Sequence, residues 1–168
     1  MSAPIFFDDE LLERATALVQ LYRGLGLKLA TAESCTGGLV AALLTEVAGS
    51  SAVLERGFVT YSNEAKQDCL HVPAVLLDAQ GAVSGPVARA MAEGALSVAR
   101  AQVGVAITGI AGPDGGSPEK PVGLVWFACA IVGGETRVVE RRFGALGRAQ
   151  VRRASVLVAL DLLEARGR

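Results

Sequence analysis

Leu27-Lys28-Leu29-Ala30-Thr31-Ala32-Glu33-Ser34-Cys35-Thr36-Gly37-Gly38-Leu39-Val40 holds the junction from which the fold is read. Leu27 to Ala32 is a short apolar run of strand length. Glu33 to Gly38 is a turn of mostly small residues. Val40, Leu43, Leu44 and Val47 then recur at helical spacing, and Gly49-Ser50-Ser51 breaks that helix. A strand that feeds a helix through a tight turn is half of a β–α unit, so the chain is read as α/β.

Outward from that junction the same pattern continues. Asp8 and Asp9 stand ahead of Leu11, Ala15, Leu18 and Tyr22, so a capped helix runs up to Gly24 and Gly26. Val53 to Tyr61 reads as a strand, and Ser62 or Asn63 caps a short helix carrying Glu64 and Lys66. Pro73 to Ala79 has room for one or two helical turns. Ser84-Gly85-Pro86 starts a helix that continues to about Ala101. Val103 to Thr108 is the β-branched run of a buried strand. Gly109, Gly112, Gly115 and Gly116, with Pro113, Pro118 and Pro121, make the next stretch a loop. Val122 to Val132, Gly133-Gly134 and Thr136 to Phe143 read as strand, turn and strand, and a last helix starts at Arg148. Helices alternate with strands early and a hairpin follows late. The expectation is a three-layer α/β/α sandwich with a mixed sheet, one domain over residues 1–168.

The 168 residues are 51% hydrophobic and 20% charged, which suits a buried core and excludes a disordered chain. A net charge of −1 and a pI near 5.9 argue against a broad basic face, so no nucleic-acid partner is expected. No apolar run reaches the ~20 residues of a membrane span. The N-terminal MSAPIFFDDE lacks the basic-then-apolar pattern of a signal peptide. The expectation is a cytoplasmic protein with no membrane partner. Cys35, Cys69 and Cys129 form no CxxC pair, and His71 is the one histidine, so neither a metal nor a cofactor is expected. Cys69 and Cys129 read as core residues, and His71 as a packed or surface residue.

Four segments hold residues suited to chemistry. In Thr31 to Gly38, Ser34 and Cys35 compete as nucleophile beside the start of a helix. Unpaired N–H groups there can bind an anion or an oxyanion, and Gly37 and Gly38 admit a ligand to the backbone. The plainer reading is that Ser34 or Thr36 caps the helix. In Phe58 to Lys66, a lysine can act as base for a serine once burial or a nearby cation lowers its pKa, and Tyr61 can orient either partner. The plainer reading is an exposed helix lysine and a core tyrosine. The loop from Thr108 and Gly109 to Gly123 offers backbone N–H groups and Lys120 for a phosphate or sugar, or else is an ordered surface loop. Arg148-Ala149-Gln150-Val151-Arg152-Arg153 clusters cations at a helix start, where the dipole disfavours them, which suits an anionic partner or a solvated face.

AESCTGG (32–38), ERGFVTYSNEAK (55–66), GAVS (81–84), TGIAGPDGGSPEKPVG (108–123) and VWFA (125–128), in this order, closely resemble the CinA C-terminal domain family. The resemblance spans about residues 10–165. It implies a three-layer α/β/α domain. It also implies the activity of the family's stand-alone members, which convert nicotinamide mononucleotide (NMN) and water to nicotinic acid mononucleotide and ammonia in NAD recycling. Larger members carry a further N-terminal domain, for which this chain has no room. Carried over residue by residue, the resemblance implies Ser34 as nucleophile, Lys66 as general base and Tyr61 as helper. Thr108 and the glycines after it match the substrate-binding loop, and Arg148 and Arg152 match basic positions suited to the phosphate. One departure is that Leu146-Gly147-Arg148 replaces the family's frequent Gly-Asp-Arg, so an acidic neighbour of Arg148 is missing.

Both lines converge on an expected course. Neutral Lys66 takes the Ser34 proton, directly or through Tyr61, and N–H groups from Cys35, Thr36, Gly37 and Gly38 hold the oxyanion. One alternative is a nucleotide-sensing module that binds NMN or NAD through the same loops without turnover. Another is hydrolysis of a different amide or a pyrophosphate. Pyrophosphate chemistry normally uses a carboxylate cluster, and the sequence offers none. Exposed apolar helices on such domains often pair, so a homo-oligomer is a further expectation.

Overall fold

Asp8 accepts a hydrogen bond from the Leu11 N–H at 3.1 Å and starts helix α1 (Asp9–Leu25), which Gly26 ends in the left-handed region. The computed structural model describes residues 6–167. After α1 come β1 (Leu29–Glu33), α2 (Leu39–Thr45), β2 (Leu54–Val59), α3 (Asn63–Leu70), α4 (Ala74–Gln80) and α5 (Gly85–Val98). Then follow β3 (Val103–Gly109), β4 (Leu124–Ile131), β5 (Arg137–Arg142) and α6 (Arg148–Arg166). Glu33, read from sequence as a turn residue, is the last residue of β1. Gly24 stays inside α1, and Ser62 rather than Asn63 caps α3.

The strands form one sheet in the order β2-β1-β3-β4-β5. The first three run parallel, and β4 and β5 add antiparallel to β3. The two faces of the sheet differ in kind. Val103, Val105, Ile107, Val125 and Phe127 form a core with α1, α2 and α6. Ala30, Ala32, Ala106, Ala128 and Ala130 lie on the other side, beneath α5 and its own Ala88, Met91, Ala92 and Ala95. Small side chains on both partners let α5 sit close to the sheet, and α3 and α4 pack against α5 in turn. The result is the mixed α/β/α sandwich.

The close approach of α5 makes a prediction. A Cβ at Gly94 would lie 2.0 Å from the Leu70 carbonyl oxygen at the end of α3. Alanine in a helix gains about 1 kcal/mol over glycine. That gain loses to an overlap with backbone that no rotamer relieves. Gly94→Ala should lower stability by about 2–3 kcal/mol, read as a lower urea midpoint.

The three parallel strands end at one edge of the sheet, and the ends of such strands are where ligands bind in open α/β folds. Ser34 follows β1, Thr60 to Lys66 follow β2, and the loop 110–123 follows β3. That loop is tied at its base, where Gly123 N–H donates to Ile110 O at 2.8 Å and Ile110 N–H to Leu124 O at 2.9 Å.

Candidate active site

Pleating decides which of Ser34 and Cys35 meets a base. Successive strand residues point to opposite faces. Ser34 N–H still donates to Ile107 O at 3.0 Å, so pairing with β3 persists one residue past β1. Ala30 and Ala32 face α5, and Ser34 continues that side toward α3. Cys35 lies in the opposite core with α1, α2 and α6. Burial pushes its thiol up to about 11, so it stays protonated near neutrality, and it is not among the hydrogen-bond partners of Lys66 Nζ.

Ser62 Oγ accepts from Ala65 N–H at 3.0 Å and fixes the first turn of α3, which buries Lys66 and Leu70 on one face. Lys66 is 1% exposed and Ser34 8% exposed. Lys66 Nζ lies 3.1 Å from Ser34 Oγ, 2.8 Å from Thr60 O and 3.3 Å from Tyr61 O. All three partners are uncharged oxygens, so an ammonium there has lost its water with no carboxylate among the described residues bonded in its place. This desolvation holds the Lys66 pKa below the ordinary lysine value. A neutral amine has two N–H donors and one lone pair. The two carbonyls can only accept, so they take the two donors. The lone pair is left for the Ser34 hydroxyl proton.

Tyr61 stands differently from its expected place. The residue is 60% exposed, and its hydroxyl accepts from Arg148 Nη2 at 3.0 Å. Its carbonyl, not its phenol, touches Lys66. The Lys66–Ser34 contact is direct, so a relay through the Tyr61 hydroxyl is not needed. Arg148 also donates from Nη1 to Gly112 O at 3.0 Å, joining the end of β2 to the long loop. Arg152, one turn further along α6, donates from Nε to Cys35 O at 3.2 Å and from Nη2 to Thr36 O at 3.3 Å.

The expected row of free N–H groups is shorter than the sequence suggested. Gly37 N–H donates to Ser34 O at 2.9 Å, and Gly38 N–H to Glu33 Oε2 at 3.2 Å. Among the described residues, Thr36 N–H donates to no acceptor, and Cys35 N–H meets only its own thiol. Glu33 is the residue that sequence reasoning missed. It is fully buried, and its carboxylate also accepts from Val40 N–H at 3.1 Å and Ala41 N–H at 3.0 Å. It fills the anion-binding start of α2 from within. The available signal was an acidic residue at a strand end, one pleat before the candidate nucleophile.

The remaining residues singled out from sequence are placed as follows. Thr108 is buried, and its hydroxyl donates to Ala82 O at 2.8 Å, so only its lone pairs remain for a ligand. Gly109 serves packing, since a Cβ there would lie 2.7 Å from Val125 Cγ2. Lys120 Nζ donates to Gln80 O at 2.6 Å and pins the loop to the end of α4. His71 is exposed and caps α3 in the left-handed region. Cys69 is exposed on α3 rather than in the core, while Cys129 is buried. One thiol per native chain should therefore react rapidly with a disulfide reagent, and three after denaturation. A Cys69→Ser chain that kept the fast phase would contradict this. A groove of about 570 Å³ between Pro73, Leu76, Pro86, Arg89, Trp126 and Val138 touches neither Ser34 nor Lys66.

Residues 12–166 match the CinA C-terminal domain family. The nicotinamide-nucleotide amidohydrolase PncC of Escherichia coli K12 is 51% identical over 156 residues, covering 93% of this chain and 94% of that protein. A CinA-like protein of Geobacter sulfurreducens is 53% identical over 90% of this chain but only 36% of its own length. The crystal structure of the competence/damage inducible protein CihA from Agrobacterium tumefaciens superposes with a TM-score of 0.95 at 50% identity, covering all of both chains. A CinA superfamily protein from Klebsiella pneumoniae gives a TM-score of 0.88 at 36% identity, over 94% of this chain and 97% of that one.

Proposed function

The chain belongs to the CinA C-terminal domain family, and we propose that it is a nicotinamide-nucleotide amidohydrolase working through a Ser34/Lys66 pair. The observation that carries the reading is the buried Lys66 amine, 3.1 Å from Ser34 Oγ with two carbonyls occupying its N–H donors. The amidohydrolase name of the E. coli relative supplies the substrate, and its likeness runs the length of both chains.

The reaction begins as neutral Lys66 takes the Ser34 proton and Oγ attacks the carboxamide carbon of NMN. Cys35 and Thr36 N–H groups stabilise the oxyanion; the residue after the nucleophile is a common source of such a donor. The Lys66 ammonium protonates the leaving nitrogen, and ammonia departs as the C–N bond breaks. Lys66, neutral again, takes a proton from water, whose oxygen attacks the acyl-Ser34 ester. Nicotinic acid mononucleotide leaves and Ser34 regains its proton. The substrate's pyridinium charge makes the amide more electrophilic and, close to Lys66, favours the neutral amine.

Arg148 supplies the charge for the phosphate from the exposed rim, where it already organises Tyr61 and the loop at Gly112. Thr108, whose hydroxyl donates to Ala82 O, accepts with its lone pairs from the carboxamide NH₂. The acid product suits return to NAD synthesis, and that nucleotide pool makes the cytoplasm the site of action. Chromatography of NMN incubated with the protein tests the substrate. Nicotinic acid mononucleotide should accumulate as NMN disappears. Binding of NMN without conversion would overturn the reading in favour of a sensing module.

A further inference from the structure

We propose that Glu33 and Arg152 are a pair of positioning residues that clamp the Ser34–Gly38 loop from its two sides, and that Arg152 is not a phosphate ligand. The inference rests on Ser34 being the nucleophile. The accounting of backbone donors carries it, because buried N–H groups are normally all paired. From Ser34 to Ala41, Ser34 donates to Ile107 O, Gly37 to Ser34 O and Leu39 to Thr36 O. Gly38, Val40 and Ala41 donate to the Glu33 carboxylate. Among the described residues that leaves Thr36 N–H, which has no acceptor, and Cys35 N–H, which meets only its own weakly accepting thiol, and they are the two that follow Ser34.

Glu33 acts from the core side. Its charge occupies the start of α2, so an anion forming at Ser34 meets the loop N–H groups and is not drawn to the helix end. Arg152 acts from the α6 side. Its Nε–Nη2 edge spans Cys35 O and Thr36 O, which commits the one Nε–H and one of the guanidinium's two forks to the loop and fixes the side chain there. Cys35 C=O and Thr36 N–H belong to one peptide group. A cationic donor on that oxygen both fixes the plane of the peptide and strengthens its N–H as a donor. Arg152 is half-buried on the outer helix, so its truncation spares the core.

The test uses Arg152→Ala, Arg152→Lys and Glu33→Gln, with NMN and the phosphate-free nicotinamide riboside as substrates. A second readout needs neither substrate: the rate at which phenylmethanesulfonyl fluoride labels Ser34, followed by mass spectrometry. Arg152→Ala should lower kcat on both substrates by the same factor, about 10–100-fold, with KM little changed, and slow Ser34 labelling in step. Arg152→Lys should recover part of the loss, because an ammonium cannot fork. Glu33→Gln keeps one acceptor oxygen and sets an NH₂ against an N–H, and it should lower kcat about tenfold.

A loss confined to NMN, seen as a raised KM with riboside turnover and labelling intact, would make Arg152 a phosphate ligand and overturn the proposal. Unchanged kcat and labelling in Arg152→Ala would overturn it as well. A wild-type chain that labels at Ser34 but leaves NMN intact, with labelling slowed in Arg152→Ala, defeats the substrate assignment and supports the clamp.

Discussion

Ser34→Ala should abolish ammonia release from NMN, a fall of about 10⁴-fold or more, with KM-range binding of NMN retained. The expected size follows from the mechanism's division of labour. Without Oγ no acyl-enzyme forms, and the remaining N–H groups can only assist direct attack by water. Removing a serine nucleophile costs far more than the 10²–10³ of one oxyanion donor. Folding should survive, because among the described residues Ser34 Oγ has one side-chain partner, Lys66, whose amine keeps its two carbonyls. Cys35→Ala separates the two candidate nucleophiles. Its thiol sits in the α1/α2/α6 core, so the variant should lose some stability and keep most of its turnover. Normal turnover in Ser34→Ala with loss in Cys35→Ala would contradict the assignment.

Lys66→Met should cost at least about 10³-fold in kcat/KM, and the loss should persist at high pH. Methionine roughly keeps the volume and removes the amine. The wild-type chain should show a rising limb of kcat/KM with pH as Lys66 loses its proton, with a midpoint below the ordinary lysine value. Lys66→Met should lack that limb. Stability should follow the same titration. The folded pKa is lowered, so the unfolded chain binds more protons across the window between the two values. The penalty of burying the ammonium is therefore full below the folded pKa. It fades as pH rises and is gone above the unfolded value of about 10.4. Urea midpoints of wild type should rise with pH in that window relative to Lys66→Met. Hydroxide restoring the variant to wild-type rates would reduce Lys66 to a positioning role.

Much of this architecture is legible because its signals are local. The Gly37-Gly38 pair and the helical spacing after it fall within one turn of the chain, and so mark the β–α junction directly. Ser34 and Lys66 are 32 residues apart, yet β1 and β2 are parallel neighbours, so their carboxyl ends deliver both to one edge. What was not legible depends on which way a side chain leaves the backbone. Glu33 looked like a turn residue because nothing local says that a strand-end carboxylate will reach back over the start of the next helix. Tyr61 looked like an orienting phenol. Its exposed ring instead turns toward Arg148, whose place is set by α6, far away in sequence. Cys69 read as core from its residue type, but Lys66 and Leu70 take the buried face of α3 and leave it outside. The alanine-lined face of the sheet carried a sequence signal, in Ala30, Ala32, Ala106, Ala128 and Ala130, that foretells the close seat of α5.

The most direct test is ammonia release from NMN by the wild-type chain in excess EDTA, measured as Ser34 is progressively blocked by a fluorophosphonate. A Lys66-activated serine needs no metal-bound water, so EDTA should change nothing, and activity should fall in proportion to labelled Ser34 and vanish at full labelling. Ammonia release that EDTA abolishes, or that continues with Ser34 fully labelled, would contradict the account.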